Sequence, residues 1–230
     1  MHIFDQDATS RAQGKLDEAL ESYESSREIT VEVVGEKHLD IAEINYSIGH
    51  VLQQKKKHEE AEERFLTAIA ITQDLVGEYH HICSSAQRGL GEIHFEKEEY
   101  EQALECFQKS SSIMDVLLSG TVDESSLLPL AASSNDKSSR SLQDRSIKLR
   151  LDALEAGPRD NLDSAITKYN IHMALMKIGR PDQHEDADKH LEEALEVFTN
   201  VLGAEHSWTQ TASRGTGEPL PPRIAAAETS

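Results

Sequence analysis

Residues 38–80 read HLDIAEINYSIGHVLQQKKKHEEAEERFLTAIAITQDLVGEYH, and the chain repeats this pattern before and after them. Repetition at a fixed step predicts a solenoid, because one unit is too small to bury its own apolar face and must stack on the next. Matching residues recur 42 positions apart, as in Ala19, Ala61 and Ala103, in Tyr23, Phe65 and Phe107, and in Ile29, Ile71 and Ile113.

Each unit is predicted to be a pair of antiparallel helices, which we call helix A and helix B. A short turn at residues 55–57 separates them in the quoted stretch. Residues at steps of three and four form one stripe on a helix of about 3.6 residues per turn. In helix A this stripe contains Ile41, Ile44, Ile48, Val51 and Leu52, and in helix B it contains Ala61, Phe65, Ala68, Ile69, Thr72 and Val76.

The link between units has its own signature, a glycine followed three residues later by a histidine. Glycine suits the C-terminus of a helix, since it enters a left-handed conformation without a side-chain clash. The histidine recurs at the same place in three links, which indicates a structural role in the link and not a metal ligand. The pairs are Gly35 and His38, Gly77 and His80, and Gly203 and His206.

This unit resembles the tetratricopeptide repeat, in the longer variety typical of kinesin light chains and their relatives. The resemblance implies an all-α, right-handed superhelical solenoid of antiparallel helix hairpins. It also implies that an extended peptide binds on the concave face, which the A helices line. The residues that match are Asn45, Ile48, Gly49, Ala61, Phe65, Ala68, Ile71 and the link at 76–80, followed by Gly91, Tyr100, Ala103, Phe107 and Ile113.

The repeat pattern divides the 230-residue chain into six predicted segments. Arg145 stands one step of 42 after Ala103, where a small residue is needed, so the unit there is degenerate. The segments are a disordered or truncated N-terminus (1–13), a half repeat plus two full repeats (14–118), a serine-rich flexible insertion (119–141), a degenerate repeat helix (142–160), a further repeat (161–206) and a disordered tail (207–230). Residues 207–212, at the start of this tail, look like the opening of another helix A.

Composition narrows the class of partner. The formal net charge is −19, which repels nucleic-acid phosphates and anionic membrane surfaces, so we expect neither as a partner. Acidic runs on the B helices favour a neutral or basic peptide. The chain has two cysteines, no run of about 18 apolar residues and no signal-peptide pattern at its start, which predicts a reduced, cytoplasmic protein.

The candidate binding residues follow from the helix-A glycines, Gly49 and Gly91. Asparagine at the position of Asn45 can clamp a peptide backbone in the kinesin light chain type, although the second unit has Gln87 there. The side chains expected to face the groove are Asn45, Tyr46, His50 and Gln53 in one unit, and Ser85, Arg88, Glu92 and Phe95 in the next.

No motif in the sequence indicates catalysis or a cofactor. Phosphate loops, nucleophile elbows and paired histidines at metal-ligand spacing are missing, so we expect a non-catalytic protein without a cofactor or metal.

The expected function is that of an interaction scaffold or adaptor. Two alternatives stay open: a self-associating module that stacks through its open ends, and a regulatory fragment of a larger enzyme or motor-associated protein. The half unit at the start favours a piece of a longer array over an end covered by another chain.

Overall fold

The computed structural model describes residues 3–119, 158–215 and 219–220. Within these ranges all the regular structure is helical, and a turn of 3-10 helix, Pro181–Gln183, lies between the sixth and seventh α-helices. The α-helices are α1 (Ile3–Val34), α2 (Leu39–Gln54), α3 (His58–Val76), α4 (His81–Glu96), α5 (Tyr100–Ser119), α6 (Pro158–Ile178), α7 (His184–Leu202) and α8 (Ser207–Ser213).

The helices pack in chain order, which confirms the predicted all-α solenoid of hairpins. Each helix lies against the next one, and α5 lies against α6, so the array continues from the second hairpin to the third. Helix α2 also contacts α4, and α4 contacts α6. These three A helices therefore lie side by side and form one surface, which we call the inner face.

An aromatic ring packed on glycine joins neighbouring hairpins. The ring of Phe65 on α3 lies between Gly49 on α2 and Gly89 on α4. A methyl group on either glycine would lie 2.8 Å or 2.6 Å from that ring, closer than real contacts allow. Phe107 on α5 packs against Gly91 on α4 within the second hairpin. The recurrence of glycine and phenylalanine in the sequence is thus a packing requirement.

The glycine–histidine links have the structural role that the sequence predicts. Gly35, Gly77 and Gly203 adopt φ of +83°, +83° and +87°, where a glycine is favoured, and each ends a helix. The following histidine begins the next helix. Its Nδ1 atom accepts a hydrogen bond from the backbone N–H two residues on, at 3.2 Å in each of the three links.

The two ends of the array differ from the predicted boundaries. Helix α1 begins at Ile3, because residues 3–13 contain no proline and continue the helix without a break. Residues 207–213, predicted as part of a disordered tail, form α8, and Trp208 from this helix is buried against Phe198. The predicted insertion after Ser119, and the predicted degenerate helix as far as residue 157, lie outside the described residues.

Candidate peptide-binding face

Polar side chains from three A helices meet on the inner face. Gln53 comes from α2, Arg88 and Glu92 come from α4, and Asp163 and Asn170 come from α6. We call these five residues the inner network. Residues from α2 and α4 were predicted to share this face, and the structure brings them together.

Glu92 is the centre of the inner network. Its Oε2 atom accepts a hydrogen bond from Nε2 of Gln53 at 3.0 Å. Its Oε1 atom accepts from Nη1 of Arg88 and from Nδ2 of Asn170, both at 3.4 Å. One carboxylate therefore links all three A helices.

Arg88 joins α4 to α6 through a second carboxylate. Its Nη2 atom donates to Oδ1 of Asp163 at 3.3 Å. Burial lowers the pKa of Arg88, but the nearby Glu92, Tyr46 and Asp163 outweigh burial, so the pKa is raised above the ordinary value. Arg88 consequently stays charged, and it lies between two carboxylates that together more than balance its charge.

Tyr46, Ser85 and His50 border the inner network. Burial raises the pKa of Tyr46, while Arg88 and a hydrogen bond with Ser85 act against this rise. Burial lowers the pKa of His50 against the attraction of Glu92. Nδ1 of His50 also forms a hydrogen bond with Nε2 of Gln54, at 3.0 Å. The neutral forms of Tyr46 and His50 are therefore favoured beside the charged groups.

Asn45 and Phe95 lie elsewhere than predicted. The side chain of Asn45 is fully buried, its Nδ2 atom donates to the backbone oxygen of Ile41 at 2.8 Å, and its Oδ1 atom accepts from Arg64 at 3.3 Å. It turns from the inner face towards α3, because buried amide groups must find hydrogen-bond partners. Phe95 packs into the apolar core against α6, instead of facing a groove.

Asp163 and Asn170 were not predicted from the sequence as residues of the binding face. They belong to α6, which contains no glycine equivalent to Gly49 or Gly91 to mark its register. The turn after α6, residues 179–183, is also longer than the turn at 55–57, so the register cannot be extended backwards from helix B. The sequence indicated only that α6 is a helix A, and it did not indicate which residues of α6 lie on the inner face.

Within the ranges that the structure describes, no three His, Cys, Asp or Glu side chains gather in a way that would hold a metal ion. In the same part of the chain, no helix is long and apolar enough to cross a membrane.

Two family models match the chain, and both describe the tetratricopeptide repeat. One covers residues 8–40 and the other covers residues 40–115. Residues 8–115 therefore match the tetratricopeptide repeat. These matches confirm the resemblance inferred from the sequence. Repeats of this family are generally protein–protein interaction modules without catalytic activity. The hairpin of α6 and α7 lies beyond the matched residues, but it packs on α5 as the next hairpin of a tetratricopeptide array would.

Solved structures similar to this chain include the TPR-like repeats of a Podosopora anserina protein described as a kinesin light chain. That chain is 14% identical, with a TM-score of 0.43, and the match covers 85% of this chain and 93% of the other. A variant of the same protein is 13% identical at the same TM-score, with 86% and 93% covered. The search of curated proteins found no match.

Proposed function

We propose that this protein is a non-catalytic adaptor that holds an extended peptide, or a helix, of another protein along its inner face. The general role of tetratricopeptide repeats in protein–protein interaction supports the proposal. The observation that carries it is the inner network, in which polar groups from three successive A helices lie on one surface.

The geometry of such an array suits a peptide. Packed helices lie about 8–10 Å apart, and an extended chain rises about 3.3 Å per residue. Each A helix thus has about three peptide residues in reach, and three A helices span about nine. Amide, hydroxyl and charged groups at this spacing could pair with peptide backbone groups and alternate side chains. The cytoplasm is the compartment we propose, because two cysteines in 230 residues are too few for the disulfide framework that is typical of secreted proteins.

A selection experiment tests the adaptor role. Random peptides of about nine residues are displayed on phage and selected on the immobilised full chain. The affinities of selected peptides are then measured by fluorescence anisotropy. We expect His50→Ala and Ser85→Ala to weaken binding, and Leu66→Ala, at an exposed position on α3, to leave it unchanged. Selection of no peptide, or equal affinity for all the variants, would contradict binding on the inner face.

A second candidate is self-association through α1. Ile29 and Val33 on this helix are 61% and 77% exposed, which is unusual for two large apolar side chains on one helix. Light scattering over a concentration series tests it with the double variant Ile29→Lys and Val33→Lys, and with Leu66→Lys as a matched control. A concentration-dependent mass that only the double variant abolishes would support self-association, and a constant monomer mass would exclude it.

A further inference from the structure

We propose that the junction of α4 and α6 binds a positively charged side chain of the partner peptide, preferably an arginine. This inference rests on the proposed adaptor function and names the chemistry of its ligand. The pocket for the cation would be formed by Glu92, Asp163 and the side-chain oxygen of Gln53.

The charges at this junction sum to a negative value, which favours the binding of a cation. Arg88 carries one positive charge, while Glu92 and Asp163 carry two negative charges between them. The contacts of Arg88 with these carboxylates are 3.4 Å and 3.3 Å. Charge-assisted hydrogen bonds of this type are about 2.7–2.9 Å when they are fully formed. Gln53 and Asn170 also donate to Glu92, but both are uncharged, so the local charge stays negative.

Gln53 provides an independent indication that a donor is required. Its side chain is only 6% exposed, and its Oε1 atom is buried without a hydrogen-bond partner. The amide cannot simply be reversed, because this would place Oε1 against the carboxylate of Glu92, to which Nε2 now donates. A buried acceptor left unsatisfied is costly. An N–H donor that a ligand brings to Oε1 would satisfy it while Nε2 keeps its bond to Glu92.

Both carboxylates can be reached from solvent. The side chains of Glu92 and Asp163 are 29% and 30% exposed, against 17% for Arg88. A peptide carboxylate placed there would face two negative groups, whereas a cation would face them favourably. Arginine fits better than lysine, because its planar guanidinium has five donors and can contact two carboxylates and an amide oxygen at once. The chain's net charge of −19 also attracts cationic segments at long range.

Four peptide libraries of equal length test this inference on the full chain. All positions are randomised except the central one, which is arginine, lysine, citrulline or glutamate. Citrulline keeps the shape of arginine but carries no charge. We expect the order of retention to be arginine, lysine, citrulline and then glutamate. For a selected arginine peptide, we expect Asp163→Asn to weaken binding about tenfold, the scale of one lost charged hydrogen bond.

The control variant is Glu63→Gln on α3, which removes one negative charge at an exposed position away from the inner face. It should leave the arginine peptide's affinity unchanged, and thermal melts would show whether each variant stays folded. Equal retention of arginine and citrulline, or equal weakening by both variants, would overturn the cation site while leaving peptide binding intact. Retention of none of the libraries would overturn the adaptor function itself, and the cation site with it.

Discussion

Nη2 of Arg88 on α4 lies 3.3 Å from Oδ1 of Asp163 on α6, although 75 positions separate the two residues along the chain. The contact joins the second hairpin to the third across residues 120–157. It also shows that the hairpin formed by α6 and α7 occupies the next place in the same array, since α6 lies beside α4 as α4 lies beside α2.

A double-mutant cycle of Arg88→Ala and Asp163→Ala should give a coupling free energy of about 1 kcal/mol or less, because the pair is partly exposed to solvent. Urea denaturation of the wild type, both single variants and the double variant measures it. The Lys109–Glu105 pair within α5 is a suitable reference, and its coupling should be the smaller of the two because water screens this exposed pair. Strictly additive effects of Arg88→Ala and Asp163→Ala would show that the contact does not contribute to stability.

Gly91→Ala should destabilise the array, although alanine normally favours a helix. The added methyl group would lie 2.5 Å from the ring of Phe107, and overpacking of this kind costs about 1–3 kcal/mol. Gly14→Ala is the matched control, because Gly14 is also helical but has no atom within 4 Å of the added group. This control should be neutral or stabilising by up to about 1 kcal/mol. Thermal denaturation distinguishes the two, and a higher melting temperature for Gly91→Ala would refute the packing role of the ring.

Loss of a histidine cap should weaken the helix that follows it. His38 accepts a hydrogen bond from the backbone N–H of Asp40, and an N-cap side chain contributes about 1 kcal/mol. We therefore expect His38→Ala to lower the free energy of unfolding by about 1 kcal/mol. His38→Asn should recover most of the loss, because asparagine is a strong N-cap residue. If both variants were equally unstable in urea denaturation, capping would not be the function of the histidine.

The free energy of unfolding should fall as the pH is lowered from about 7 to about 5, the range around the pKa of a free histidine. We expect His190 on α7 to account for part of this loss. Burial lowers the pKa of His190 below its ordinary value of 6.5, and its Nδ1 atom is buried without a hydrogen-bond partner. The unfolded chain therefore binds the proton more readily than the folded chain. The stabilisation is fully present above the pKa that His190 has in the unfolded chain, and it is lost as the pH falls through the lower pKa of the folded chain. His190→Gln should show a smaller loss over this range in denaturation curves. An unchanged loss would exclude His190 as a contributor.

Much of the fold could be predicted from the sequence because the repeat is built on local signals. The step between Ala61 and Ala103, the Gly–His links and the spacing of apolar residues each reflect contacts made within or between adjacent hairpins. For α8 the sequence indicated only the opening of a helix A at residues 207–212. That this short helix completes depends on burying Trp208 against Phe198, a tertiary effect that local signals do not reveal.

Residues of the candidate site could be predicted only where a glycine marks the register of helix A. Tyr46, Ser85, Arg88 and Glu92 are near the helix-A glycines, and they lie together on the inner face. Asn45 was misplaced because its amide hydrogen bonds turn it into the core, where its neighbours on α3 decide its direction. Asp163 and Asn170 were absent from the prediction because α6 has no such glycine.

The most direct measurement of peptide binding on the inner face is site-specific photo-crosslinking. Benzoylphenylalanine replaces either His50, which borders the inner network, or Leu66, which is exposed on α3, and each protein is irradiated with the same selected peptide. We predict a covalent adduct from the His50 position and none from the Leu66 position. An adduct from the Leu66 position alone would contradict binding on the inner face.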